Sequence, residues 1–231
     1  NLGLSTALEY GKKSGLIYNS ESSKSIATLA LGEFNNDPSD RDGGNTTILA
    51  SAYGSFGNKG IRTEAILYTK VIDSTGKVIL DKTADTTKLF SEETAYIMYD
   101  ILKGPVTGFD AGGAKFGDIP VAGKSGTTDN SDSFWFSGLT PYYSASVWIG
   151  YDMPTKLNGY SSSAASLWGD VMGVVHQGLS YKEIEKPSTV VTATVCRDSG
   201  KLATDLCAQD QRGNRVRTEY FIEGTQPTTA C

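Results

Sequence analysis

Apolar residues at Ile48, Leu49, Ala52, Tyr53 and Phe56 recur every three or four positions, the interval that gathers side chains into one stripe on an α-helix. The stripe runs out at Gly57 and Gly60, so the spacing predicts a core helix that stops there. Ser91 followed by Glu92 and Glu93 opens another helix, with Tyr96, Ile97, Ile101 and Leu102 on one face and Gly104-Pro105 as its expected stop. A final amphipathic helix is expected from Leu167, Trp168, Val171, Met172 and Val175, after a serine-rich start at 161–163. Near the beginning, Thr6 and Glu9 are spaced as a capping box ahead of Gly15, which predicts a short first helix.

Elsewhere the pattern is that of strands. Arg62 to Ile72 and Lys77 to Leu80 are β-prone runs separated by Asp73-Ser74-Thr75-Gly76, which predicts a hairpin. Val121 to Gly126, Ser133 to Thr140 and Ser144 to Tyr151 read as three consecutive strands, the last two joined by Pro141-Tyr142-Tyr143 and so antiparallel. Glu33 to Asn45 is rich in turn formers and reads as an exposed loop. Five glycines between Gly104 and Pro120 would let the backbone approach a neighbour closely or simply bend. Pro187-Ser188 looks like a boundary, followed by a strand over Val190 to Val195 and a polar remainder. Two units are therefore expected: residues 1–186, and a small cysteine-bearing appendage at 187–231.

A chain of 231 residues is long enough to bury a real core. Its 21 Lys and Arg against 26 Asp and Glu give a net charge of −5, with no basic stripe to track phosphates, so nucleic acid is not an expected partner. No apolar run approaches the roughly 20 residues of a membrane helix. Cys196, Cys207 and Cys231 all fall in the last 36 residues and contain no CxxC pair, while the only histidine, His176, lies 20 residues before Cys196. That spacing is not a zinc pattern; a local covalent staple is expected instead.

The passage that carries chemistry is Gly123-Lys124-Ser125-Gly126-Thr127-Thr128, at the end of a predicted strand. A cation, flanking hydroxyls and a glycine along a sheet edge suit the binding of a carboxylate and a developing oxyanion. Lysine, hydroxyl residue, glycine is also the third signature of serine penicillin-recognising enzymes. The wider context agrees: Val121 to Thr128, then Trp135-Phe136-Ser137-Gly138-Leu139-Thr140-Pro141, then Ala145-Ser146-Val147-Trp148-Ile149-Gly150-Tyr151 resembles class A penicillin-binding proteins in order and spacing. The resemblance extends upstream to 49–60 and downstream to 219–228, and so covers most of the chain.

That resemblance implies an α+β fold like the serine β-lactamases and DD-peptidases, a largely antiparallel sheet covered by helices and incomplete in this chain. The implied activity is that of a serine-type D,D-transpeptidase of peptidoglycan biosynthesis. It cross-links stem peptides ending in D-Ala-D-Ala through an acyl-serine and is inhibited by β-lactam antibiotics. By position, Lys124 and Thr127 would be catalytic, and Ser125, Gly126, Thr127 and Thr128 would bind substrate, Thr127 also offering its backbone amide as an oxyanion-hole donor. Ser125 stands where threonine is commoner. No metal and no organic cofactor are called for.

The family's SxxK serine and its SxN element are expected upstream, in another part of the same protein. Ser74-Thr75-Gly76-Lys77 spells SxxK by chance and reads as ordinary turn chemistry. The implied location is the extracytoplasmic face of the bacterial membrane, anchored through a segment absent here, and in that setting Cys196 and Cys207 are expected to be bridged. Two alternatives share these residues: a non-catalytic β-lactam- or peptidoglycan-binding sensor, and an extracellular interaction domain. Trp135, Trp148 and Trp168 are read as packing residues, His176 as a capping or surface group, and Asp129 and Asp132 as solvated turn carboxylates.

Overall fold

The structure, a computed structural model, describes residues 2–32, 34, 39–108, 110–160 and 162–231. Part of the expected loop, Glu33 and residues 35–38, and the serine at 161 lie outside the described residues. The chain begins with helix α1 (Leu4–Lys13) and a short α2 (Ile26–Leu31), then α3 (Thr46–Gly57). Strands β1 (Ile61–Thr63), β2 (Lys70–Ile72), β3 (Val78–Asp81) and β4 (Thr86–Lys88) lead into α4 (Glu92–Gly108). The meander β5 (Ala122–Thr127), β6 (Ser133–Leu139) and β7 (Ser144–Gly150) precedes α5 (Ser162–Val175). The tail holds β8 (Val190–Cys196), a one-turn α6 (Asp205–Ala208) and β9 (Val216–Ile222).

Local chemistry explains several boundaries and corrects others. The Ile48 amide donates to the Asn45 side chain at 2.9 Å, which caps α3. Helix α1 starts before the expected capping box and has no side-chain cap; Glu9 instead pairs with Lys13, 2.6 Å away and one turn on. The run expected as one strand over 62–72 is divided between β1, which pairs with β4, and β2, which forms the hairpin with β3. In that hairpin turn the Asp73 carboxylate accepts from the Thr75 hydroxyl and from the Thr75 and Lys77 amides. The Thr75 hydroxyl, with those amides, holds the Asp73 carboxyl below the usual carboxylate range. Ser74 and Lys77 sit exposed in this turn.

Helix α4 does not stop at Gly104-Pro105 but runs to Gly108 with Pro105 inside it. A proline in the last turn forfeits one hydrogen bond, and the stripe Ala95, Tyr99, Leu102 and Val106 continues across it into the core. Ile101, assigned to that stripe from the sequence, is exposed. The phenol of Tyr99 is pushed well above the usual tyrosine range by burial, with the nearby Glu183 charge adding to it.

The three-stranded antiparallel sheet is the centre of the molecule, and its alternation divides the packing. Phe134 and Phe136 face a cluster with Val106, Ala164, Ala165, Trp168 and Met172, while Leu139 and Ala122 pack with Tyr99 and Leu102 and with the half-buried Tyr53 and Phe56 of α3. Helix α3 is thus only half covered, Ser55 being its one fully buried residue. On α5 the buried face is Ala164, Ala165, Trp168, Gly169 and Met172, whereas Leu167, Val171 and Val175 from the expected stripe are exposed. The reason is close approach. A Cβ on Gly169 would lie 2.3 Å from the Gly113 carbonyl oxygen, and one on Gly113 2.3 Å from Ser166 Oγ. The glycine-rich segment before β5 therefore serves contact with α5 as well as bending.

His176, expected as a capping or surface group, does meet a carbonyl of the last turn of α5, but it is a buried hub and not a surface residue. Its Nδ1 donates to the Met172 carbonyl at 2.7 Å, its Nε2 shares a 2.8 Å hydrogen bond with the Thr140 hydroxyl, and its ring lies 4.8 Å from that of Phe116. It ties the end of α5 to the β6–β7 connection. The tail is a two-stranded antiparallel pair, β8 with β9, that touches α4 through the Tyr96–Tyr220 ring contact and the Thr189–Glu93 hydrogen bond. Cys196 and Cys207, expected as a disulfide, are free thiols here, and the Cys231 sulfur is drawn to both. No helix among the described residues is long and apolar enough to cross a membrane.

Candidate active site

Strand β5 pairs only with β6 among the described strands, so its outer edge is open. Along it Lys124 is exposed, Ser125 buried, Gly126 half-buried and Thr127 exposed. The register sets Lys124 opposite Ser137, Ser125 opposite Phe136 and Gly126 opposite Trp135. With a period of two, Lys124 and Ser125 leave the strand on opposite faces. The lysine nevertheless curls back over the edge: Nζ donates to the Ser125 carbonyl at 2.9 Å and to Ser125 Oγ at 3.1 Å.

The Ser125 hydroxyl in turn donates to Asp110 Oδ2 at 2.9 Å. Asp110 was not found from the sequence. It lies 15 positions upstream in the glycine-rich segment, and no local spacing links it to the strand. The result is a chain of polar groups, ammonium to hydroxyl to carboxylate, at the strand edge.

Neighbouring glycines hold this edge flat. A Cβ on Gly123 would meet the Phe136 ring at 2.5 Å and the Ser137 carbonyl oxygen at 2.7 Å, so no side chain fits there. One on Gly126 would come within 3.3 Å of Trp135 Cβ. Past the strand, the Thr128 hydroxyl donates to Asp132 Oδ1 at 2.6 Å and accepts from the Asp132 and Ser133 amides, closing the β5–β6 turn. Asp132 is thereby a turn partner, while Asp129 is exposed.

Of the three tryptophans expected to pack, Trp168 does so in the core, Trp135 is half-buried and Trp148 is exposed. Trp168 is fully buried and donates to the Ala145 carbonyl at 3.0 Å, and Trp135 lies 6.2 Å from Trp148, whose indole N–H donates to Ser133 Oγ. Two surface cavities of about 460 and 420 Å³ run along α3 and the β6–β7 connection, and neither is lined by any residue from Lys124 to Thr128. The lysine-bearing edge is one wall, not an enclosed pocket. Such a wall can attract a carboxylate, donate hydroxyls to it and offer backbone amides to a developing negative charge.

A sequence model described as the penicillin binding protein transpeptidase domain matches residues 2–173, and one described as the penicillin-binding protein 1A C-terminal domain matches residues 186–231. Penicillin-binding protein 1A of Clostridium perfringens is 52% identical over the whole chain, which spans 28% of that relative's length. Among solved structures, penicillin-binding protein 1A from Haemophilus influenzae matches 99% of this chain and 38% of its own, at a TM-score of 0.73 and 19% identity, a likeness of fold. The penicillin-binding protein PonA1 of Mycobacterium tuberculosis matches 79% of this chain and 51% of its own, at a TM-score of 0.61 and 25% identity, and has also been solved in complex with penicillin V.

Proposed function

The chain belongs to the penicillin-binding protein transpeptidase family, and on that premise we propose that it supplies the lysine-bearing wall of a peptidoglycan D,D-transpeptidase whose nucleophilic serine comes from another segment of the longer protein. The observation that carries the proposal is the open edge of β5, where exposed Lys124 and Thr127 flank Gly126 and Lys124 reaches Ser125. The chain covers less than a third of the Clostridium perfringens relative, which leaves ample length for the serine-bearing segment.

In this reading the serine attacks the carbonyl of the penultimate D-alanine, the terminal D-alanine leaves as the amine, and an amine from a second stem peptide resolves the ester. Lys124 provides positive charge for the terminal carboxylate and for the proton network around the serine. The Thr127 hydroxyl donates to the same carboxylate, the Ser125 hydroxyl does so by exchanging its bond to Asp110 for one to the substrate, the Thr127 amide stabilises the oxyanion, and Gly126 leaves room for the peptide to lie along the strand. Thr128 assists by fixing the strand end, since its hydroxyl is committed to the turn. A β-lactam would be held at the ester stage, because nothing in its acyl-enzyme leaves the site to admit the acceptor amine. Residues 187–231 are read as a separate small unit, and the catalytic part as facing the outside of the membrane.

The test is turnover by the full-length protein. With a stem pentapeptide and an acceptor amine it is expected to release D-alanine and form the cross-linked product, and to lose both after treatment with penicillin. Penicillin labelling without any D-alanine release would point to a sensor instead, and neither labelling nor release to an interaction domain.

A further inference from the structure

The turn after β8 has an unusual job. Cys196 is followed by Arg197-Asp198-Ser199-Gly200, and the chain doubles back so that the Gly200 amide donates to the Cys196 carbonyl at 2.9 Å and the Cys196 amide to the Lys201 carbonyl at 2.8 Å. Gly200 takes a left-handed φ of 69°, which a side chain would strain. The turn aims the backbone amides of Asp198 and then Ser199 at the Cys196 sulfur. Successive amides converging on one atom form a nest for an anion, here a thiolate. In metal-binding Cys-x-x-Cys turns the same backbone would carry a second sulfur three residues on, where this chain has Ser199.

Two further sulfurs arrive from distant parts of the tail. Cys207, buried in α6, receives the Thr204 amide at 3.4 Å. Cys231 is delivered by the hydrogen bond from its amide to the Leu202 carbonyl at 2.9 Å, and the Ser199 hydroxyl donates to its sulfur at 3.2 Å. All three Sγ atoms lie within 4.8 Å of one another. Sulfurs around a tetrahedral zinc stand about 3.8 Å apart, given Zn–S bonds of about 2.3 Å.

We propose that Cys196, Cys207 and Cys231 bind one zinc ion as three thiolates, a structural staple for the carboxy-terminal unit. Binding releases three protons and moves no electrons, so it needs no oxidant, whereas bridging any two of these thiols does and leaves the third unexplained. Three ligands leave one corner of a tetrahedron. Cys231 is the exposed member of the set, and the Ser199 hydroxyl lies 3.2 Å from its sulfur. The site is remote in sequence from Lys124 and independent of the transpeptidase reading.

The full-length protein, reduced and stripped by chelator, is to be titrated with Zn(II) or Co(II) under anaerobic conditions, with alkylation of each cysteine mapped by mass spectrometry. One equivalent of zinc is expected to protect Cys196, Cys207 and Cys231 together, and cobalt to give the intense near-ultraviolet absorption of thiolate-to-metal charge transfer. Cys231→Ser removes an exposed ligand without disturbing the core and should weaken the metal by about tenfold or more, while Ser199→Cys, completing a four-sulfur set, should tighten it by a similar factor. Protection of fewer than all three cysteines, indifference of affinity to both variants, or a Cys196–Cys207 disulfide in the protein as isolated without reductant would overturn the proposal.

Discussion

Lys124→Ala, made in the full-length protein, is expected to slow acylation by labelled penicillin by about a hundredfold or more, the usual consequence of removing one preorganised electrostatic donor. The fold should be untouched. Lys124 is exposed, and among the described residues its hydrogen bonds go to the carbonyl and hydroxyl of the adjacent Ser125, exchanges with water that contribute on the order of 1 kcal/mol at most. The measurement is the second-order acylation rate beside a thermal melt. A rate within a few-fold of the parent, at unchanged melting temperature, would take Lys124 out of the site.

Trp168→Ala should have the opposite signature, a large loss of stability with no direct effect on the chemistry. The indole is the largest fully buried side chain, meets Phe136 edge-on at 5.3 Å and Phe116 at 6.2 Å, and satisfies the Ala145 carbonyl through its N–H. Truncating a buried tryptophan to alanine costs about 3–5 kcal/mol through lost burial and the cavity left behind, here with an orphaned carbonyl in addition. For a domain of this size that lowers the midpoint of thermal unfolding by about 10 °C. Trp168→Phe, which keeps most of the volume but not the donor, should lose distinctly less. Equal losses for the two variants would mean that the hydrogen bond, not the packing, dominates at this position.

The α+β character and the β5–β6–β7 meander were readable because strand alternation, a tight Pro141-Tyr142-Tyr143 connection and a β-prone composition all pointed the same way. What failed were judgements that depend on distant partners. The stop at Gly104-Pro105 was overridden because Val106 still had a core to enter. The face of α5 was misjudged because size was taken as the guide, whereas Ala164, Ala165 and Gly169 admit the neighbouring backbone and the larger Leu167 and Val171 do not. His176 gave no periodic signal for the Thr140 contact that buries it.

The candidate site divides in the same way. Lys124, Ser125, Gly126 and Thr127 form a contiguous signature and could be found by reading along the chain. Asp110 reaches Ser125 only through the fold, and the three thiols converge from positions 196, 207 and 231, whose intervals match no ligand spacing. Thr128 shows the limit of position-by-position transfer: it continues the signature in sequence, but its hydroxyl is spent on the turn.

The central claim is that this strand edge serves an acyl-serine site completed from outside these residues. Labelling the full-length protein with penicillin, digesting it and locating the modified peptide by mass spectrometry tests that most directly. The account predicts a single acylated serine outside residues 1–231, with labelling much reduced in Lys124→Ala. An adduct on any residue of this chain, Ser74 or Ser125 included, would contradict it.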